Sequence, residues 1–221
     1  MEEIKILQAC KHINVIRYKN CFITTETSTA DQAQPNAQLI VHIVMEYADA
    51  GDMHGHIKKQ RDEVQKHFTE PQVRNWLVQM ALALQYLHKI RVMHRDIKTQ
   101  NIFMTSSNIL KLGDFGVSKI LSPDMEFAST AIGTPTNLCP EIANGQKYDF
   151  KSDIWSLGCV IYEICGLKPA FASKSWEEML HKIRNASYAA IPNSYSVTLS
   201  DLIRVMLKVD PGKRPTAYQA Q

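Results

Sequence analysis

The chain has 221 residues, 45% hydrophobic and 21% charged, which suits a globular protein with a sizeable core in one domain or two small lobes. Its 25 Lys+Arg against 22 Asp+Glu leave a net charge of +3, too mild for a nucleic-acid surface. The acidic start Met1-Glu2-Glu3 has no signal-peptide character. The longest apolar stretch, near Leu157 to Leu167, is broken by Glu163 and falls far short of the roughly 20 residues that span a bilayer. Five cysteines (Cys10, Cys21, Cys139, Cys159 and Cys165) form no CxxC pair and read as reduced thiols of an intracellular protein.

In chain order, the first residues begin inside a helical pattern with Ile4 and Leu7 on one face, followed by a strand-like "VIRYKNCFI". Thr24 to Gln38 is polar and aperiodic, so it reads as a mobile loop or insertion. "LIVHIVMEYA" (39–48) is an apolar, β-rich run closed by the turn residues "DAGD". The pattern then turns helical: Val73, Trp76, Leu77, Met80, Ala81, Leu84 and Leu87 share one stripe, with Thr69, Gln72 and Pro71 as start signals. "NIFMTSSNILKLGDFG" alternates like a hairpin around Ser106-Ser107-Asn108. "SDIWSLGCVIYEICG" is apolar nearly all round, the mark of a buried central helix ending at Gly166. Two further helical patterns lie near 175–185 and 198–208.

The chemistry concentrates in "VMHRDIKTQNIF" (92–103). A tight loop can aim Asp96, Lys98 and Asn101 at one point: a carboxylate to accept a hydroxyl proton, an ammonium to neutralise phosphate, an amide oxygen to ligate a hard cation. Alone, the stretch also reads as a solvated turn. Asp114-Phe115-Gly116 follows Asn101 by thirteen residues, at the end of the hairpin. Alone it is ordinary turn chemistry; the pair in this order is specific.

With these motifs the sequence resembles the eukaryotic protein kinases from Glu3 to Arg214, supported by "GTPTNLCPEI", "SDIWSLG" and "DPGKRPTA" in the expected order. "HRDIKTQNIF" and "LKLGDFG" look most like the NIMA-related serine/threonine kinases. The resemblance implies an α+β, bilobal fold, with residues 1–48 as an incomplete β-rich upper lobe and 49–221 as a mainly helical lower lobe. It implies ATP and Mg2+ as cofactors and transfer of phosphate to Ser or Thr of protein substrates, with neither nucleic acid nor membrane as partner. It also implies an intracellular, cytoplasmic protein with cytoskeletal association. Asp96 would take the acceptor's proton, Lys98 would hold the γ-phosphate, and Asn101 and Asp114 would hold magnesium. Backbone groups of Glu46 and Ala48 would pair with adenine, with Met45 as gatekeeper and Phe103 as the floor. On spacing alone these apolar residues serve a plain core as well. Leu7, Tyr18, His94 and Phe115 would stack between the lobes, making His94 a packing residue. Arg95 would meet an activating phosphate on Thr130 or Ser129, Thr134 would bond the catalytic Asp, and Val117 would touch the acceptor and favour Thr. Glu141 and Arg214 would form a buried ion pair. Asp153 would tie the catalytic loop from below, a role compatible with a simple N-cap. Lys111, Lys119 and the Lys58-Lys59 pair read as solvated charges.

Two departures stand out. Cys139 replaces the usual alanine before Pro140-Glu141. No G-x-G-x-x-G occurs, and no V-A-I-K-like lysine precedes Glu3, the glutamate that should pair with it. The expectation is a kinase domain without its first three strands, which binds ATP poorly and turns over little or not at all. The rival class is a pseudokinase-like binding or scaffold module.

Overall fold

The computed structural model describes residue 8 and residues 10–27, 37–114 and 137–221. The readings for Glu3, Leu7, Phe115, Val117, Lys119, Ser129, Thr130 and Thr134 lie outside these residues.

The architecture is α+β, with small sheets leading into a helical body. Strand β1 (Tyr18–Thr27) pairs antiparallel with β2 (Ala37–Met45), in a register running from Tyr18↔Met45 to Thr27↔Ala37. This corrects the reading of 24–38 as one loop. Thr24 and Thr25 are β-branched and pair with Ile40 and Leu39, so the strand continues through polar residues whose side chains lie outside a core.

Residues 14–16 run parallel to β4 (Leu110–Leu112), joined by Ile16 N–H to Leu112 O at 2.9 Å and Leu112 N–H to Asn14 O at 2.9 Å. β4 pairs antiparallel with β3 (Ile102–Met104), and Asn108 takes the left-handed turn position between them at φ 59°. The segment after β2 descends onto β3 through Ala50 N–H to Met104 O (2.9 Å) and Met104 N–H to Gly51 O (2.8 Å). Ile16 and Phe103 close over Gly113: a Cβ there would lie 2.8 Å from Ile16 Cγ1 and 3.0 Å from Phe103 Cε2, so a side chain would force them apart.

Asp52 caps α1 (Met53–Lys59) through Gly55 N–H, and a single π-helical turn, Gln60–Val64, follows it. α2 (Glu70–Lys89) buries the stripe read from the sequence, plus Ala83; Gln72 Oε1 reaches back to Thr69 N–H at 3.1 Å. After the short α3 (Pro140–Ala143) comes α4 (Phe150–Gly166), buried from Ser152 through Cys165. It packs against α2 and against α6 (Val197–Met206). α5 (Trp176–Arg184) lies between them in sequence and shows Met179 and Ile183 to the core. A Cβ on Gly158 would sit 3.0 Å from Met206 Cβ and Leu207 Cδ2, so the glycine sets how closely α6 approaches. α4 is capped by Asp149 rather than Asp153, and its left-handed closing position falls on Leu167 (φ 55°), after Gly166. Among the described residues, all five cysteines are free and no helix is long and apolar enough to cross a membrane.

Candidate active site

The loop 94–101 is held from below by one carboxylate. Asp153, on the first turn of α4 and fully buried, accepts from His94 N–H (3.1 Å), Arg95 N–H (3.0 Å), Tyr148 Oη–H (2.7 Å) and the His88 ring at Nε2 (2.8 Å). Burial would raise its pKa, but the His88 hydrogen bond and charge, with the other donors, outweigh this and keep it below the ordinary value. The N-cap reading of Asp153 is therefore wrong: its oxygens are spent on the loop. They fix Arg95 in the left-handed region at φ 68°, a conformation that costs a non-glycine residue about 1–3 kcal/mol and persists because its surroundings enforce it. The Arg95 side chain is exposed.

His94 is buried, with Nδ1 accepting from Asp96 N–H (3.3 Å) and Nε2 facing Gly113 O at 3.1 Å, which places the proton on Nε2. Burial pushes its pKa down, so the ring is neutral and packs as a wedge between the loop and the strand leading to Asp114.

Above this base three functional groups converge. Asp96 Oδ2 accepts from Lys98 Nζ at 2.7 Å and from Asn101 Nδ2 at 3.0 Å, and the same Nδ2 donates to Asp96 O at 2.8 Å. Asn101 is buried at the end of a 3-10 turn, Thr99–Asn101, whereas Asp96 and Lys98 are part-exposed. The Asn101 carbonyl accepts from Gly113 N–H at 2.9 Å, which ties the loop to the residue before Asp114. Asp114 is exposed and left-handed at φ 55°. With its nitrogen committed to Asp96, Asn101 keeps its amide oxygen for a cation. Together with the Asp114 carboxylate this makes a hard, all-oxygen donor set of the kind magnesium takes, so these residues fit that ion. Among the described residues, no group of three or more His, Cys, Asp or Glu gathers as a separate metal site.

Phe103 lies on β3 beside the bridge to Asp52, next to the segment that holds Glu46 and Ala48, and Met45 ends β2 with 42% exposure. Tyr18 is part-buried at the start of β1. Lys111 is not a solvated charge, contrary to the sequence reading. Its side chain is 13% exposed, and Nζ donates to Glu46 Oε1 (2.8 Å) and Ile13 O (3.0 Å). Lys58 and Lys59 are exposed, as read.

Beyond residue 136 the chain is pinned to α4. Asn137 Nδ2 donates to Ile97 O (3.0 Å), Trp155 Nε1 to Leu138 O (3.0 Å) and Ser156 Oγ to Asn137 O (3.1 Å). Arg214 and Glu141 form a bidentate pair at 2.7 and 2.8 Å, both buried, and Ser152 Oγ–H adds 2.5 Å to the same carboxylate. Arg214 spends its other donors on the Lys208, Lys151 and Val209 carbonyls and stacks 5.0 Å over Trp155. Burial, and next the Glu141 charge, push the Cys139 thiol up to about 12, so it stays an inert small filler.

His88, Tyr148 and Asn137 escaped the sequence reading, and Lys111 was misread as a solvated charge. Only His88 left a signal, a polar residue at the end of an apolar helical stripe.

A model of the protein kinase domain matches residues 1–221, and the chain belongs to that family. Among its relatives are Nek-type, NIMA-related kinases. It is 40% identical over 216 residues to "Serine/threonine-protein kinase Nek3" of Mus musculus, covering 98% of this chain and 39% of that protein. It is 42% identical over 220 residues to "Probable serine/threonine-protein kinase nek3" of Dictyostelium discoideum, covering 98% and 18%. With "Serine/threonine-protein kinase Nek5" of Homo sapiens it shares 40% over 216 residues, covering 97% and 28%. The chain thus spans well under half the length of these relatives.

Proposed function

We propose that this site transfers the γ-phosphoryl group of ATP to a serine or threonine hydroxyl of a protein substrate. The observation that carries the reading is the convergence of Lys98 Nζ and Asn101 Nδ2 on Asp96 Oδ2, at 2.7 and 3.0 Å. Such a carboxylate is oriented before any substrate arrives, and phosphoryl transfer depends chiefly on positioning and charge stabilisation. Asp96 holds the acceptor hydroxyl and takes its proton at the carboxylate. Lys98, beside it, offers the cation that steadies charge on the transferred group. Magnesium, held by Asn101 and Asp114, would supply neutralisation of the phosphates. The backbone at Glu46 and Ala48, with Met45 behind and Phe103 below, forms the adenine site. In this reading residues 1–48 belong to the upper lobe and 49–221 to the lower. Arg95, Ser129, Thr130 and Thr134 are the regulatory set, with the Glu141–Arg214 pair anchoring the platform. An intracellular, cytoplasmic location is part of the same proposal.

The test is incubation of the purified chain with Mg-ATP and a degenerate peptide library, read by mass spectrometry. Transfer by this chain is expected to be slow, for want of the glycine-rich loop and the upper lysine; what phosphate is transferred should appear on Ser and Thr, not on Tyr, and should vanish on chelation of the metal. Strong labelling of Tyr peptides would contradict the reading. Nucleotide retained without any transfer would favour the binding-module class instead.

A further inference from the structure

The Glu46 side chain, just after β2, turns toward β4 instead of toward solvent. Its Oε1 accepts from Arg17 N–H (2.9 Å) and from Lys111 Nζ (2.8 Å), while Glu46 N–H donates to Arg17 O (2.8 Å). Lys111 Nζ also donates to Ile13 O. One ammonium thus joins three pieces of chain: the loop before β1, the segment leaving β2, and β4. Both charged groups are mostly withdrawn from water, at 13% and 21% exposure. Burial works against the Glu46 charge, but the Lys111 ammonium and the Arg17 N–H outweigh it and hold that carboxyl below its ordinary range. Lys111 stands three residues before Asp114, and the intervening Leu112 and Gly113 are bonded to Asn14 and Asn101. The two anchors a nucleotide would need, the backbone at 46–48 and the carboxylate at 114, are therefore linked through a single cation.

We propose that Lys111 is a positioning residue, latching the Glu46 carboxylate so that the adenine-facing backbone and the strand into Asp114 keep a fixed spacing. This rests on the phosphotransfer reading for its consequence, though not for its existence. A latch set in advance lowers the ordering cost of binding, so its loss acts on nucleotide affinity more than on the chemical step.

The experiment compares the chain with Lys111→Met, which keeps bulk without charge, and Lys111→Arg, which keeps the cation. Hydrogen exchange is read at the amides of Ile16, Glu46 and Leu112, with the α4 amides as internal reference. In Lys111→Met those three should exchange about tenfold faster, the equivalent of one lost charge-assisted hydrogen bond, with α4 unchanged and Lys111→Arg near wild type. The KM for ATP should rise about three- to tenfold, with kcat within about twofold. Wild-type exchange at Glu46 in Lys111→Met overturns the latch. So does equal acceleration throughout α4, which marks general loosening, and so does failure of Lys111→Arg to restore protection. Selective acceleration reversed by arginine supports the latch even where no transfer is found, an outcome that counts against the phosphotransfer reading alone.

Discussion

Glu163 carries a carboxyl group into the interior face of α4, where it is 6% exposed. Among the described residues, the Thr99 hydroxyl lies at 3.4 and 3.5 Å from it and the His54 ring at 3.9 Å. Burial pushes its pKa from 4.5 to about 7, against weaker opposing effects from Thr99 and Arg61. The folded state then binds more protons than the unfolded state between those values. This group's contribution to stability therefore falls as pH rises from about 4.5 through 7, by up to about 3 kcal/mol. Glu163→Gln should remove that slope, which urea unfolding of both proteins at pH 5 and pH 8 would reveal; parallel pH profiles would contradict it. Glu141 is the opposite case, a charge whose partner is in place. Glu141→Ala should cost about 3–5 kcal/mol, because it leaves Arg214 charged and buried at 0% exposure, and an unchanged denaturation midpoint would contradict this. The two glutamates show what the sequence held. Glu141 was legible through its match with Arg214. Lys111 was not, since a lysine alternating with leucines on a short strand looks like a solvent-facing residue. Its partner Glu46 lies 65 positions away and is found only by folding the chain.

Elements with one dominant apolar period were the easiest to read. The buried stripe of α2 and the mostly apolar α4 came out nearly to the residue, because burial is dictated by side chains every third or fourth position in α2 and by an almost continuous apolar run in α4. Boundaries set by caps were less clear: Asp149 and Asp153 are both plausible N-caps, and only their bonds separate them. The β1–β2 hairpin was under-read because pairing, not burial, defines it. Its face carries Ile23 (62% exposed), Leu39 (68%) and Val41 (52%), with Ile23 directly opposite Val41. Surface of this kind contributes little to stability and favours association. Ile23→Glu with Val41→Lys should therefore shift stability by no more than about 0.5 kcal/mol while lowering light scattering on concentration. Leu157→Ala, in the middle of α4 at 0% exposure, should by contrast cost about 2–5 kcal/mol. A large loss from the surface pair would mean that the face is packed.

At the scale of the molecule, the helical body is a platform and α4 is its post. From that post Asp153 holds the loop that bears Asp96, while Trp155 and Ser156 hold the returning chain at Leu138 and Asn137. The order of the motifs made this plan legible from the sequence, whereas the ties that hold Asp96 in place required the geometry. The central claim is that Asp96 acts on the acceptor proton. Its most direct test is the single-turnover rate of phosphoryl transfer from Mg-ATP to a Ser/Thr peptide, for the chain completed with the upper-lobe strands of a Nek-type relative and for Asp96→Asn in the same protein, with nucleotide affinity measured in parallel. Asn keeps the shape and a hydrogen-bonding oxygen but cannot accept the proton. The rate should fall by about 10²–10⁴-fold with affinity changed less than about threefold. Equal rates in the two proteins would contradict the account.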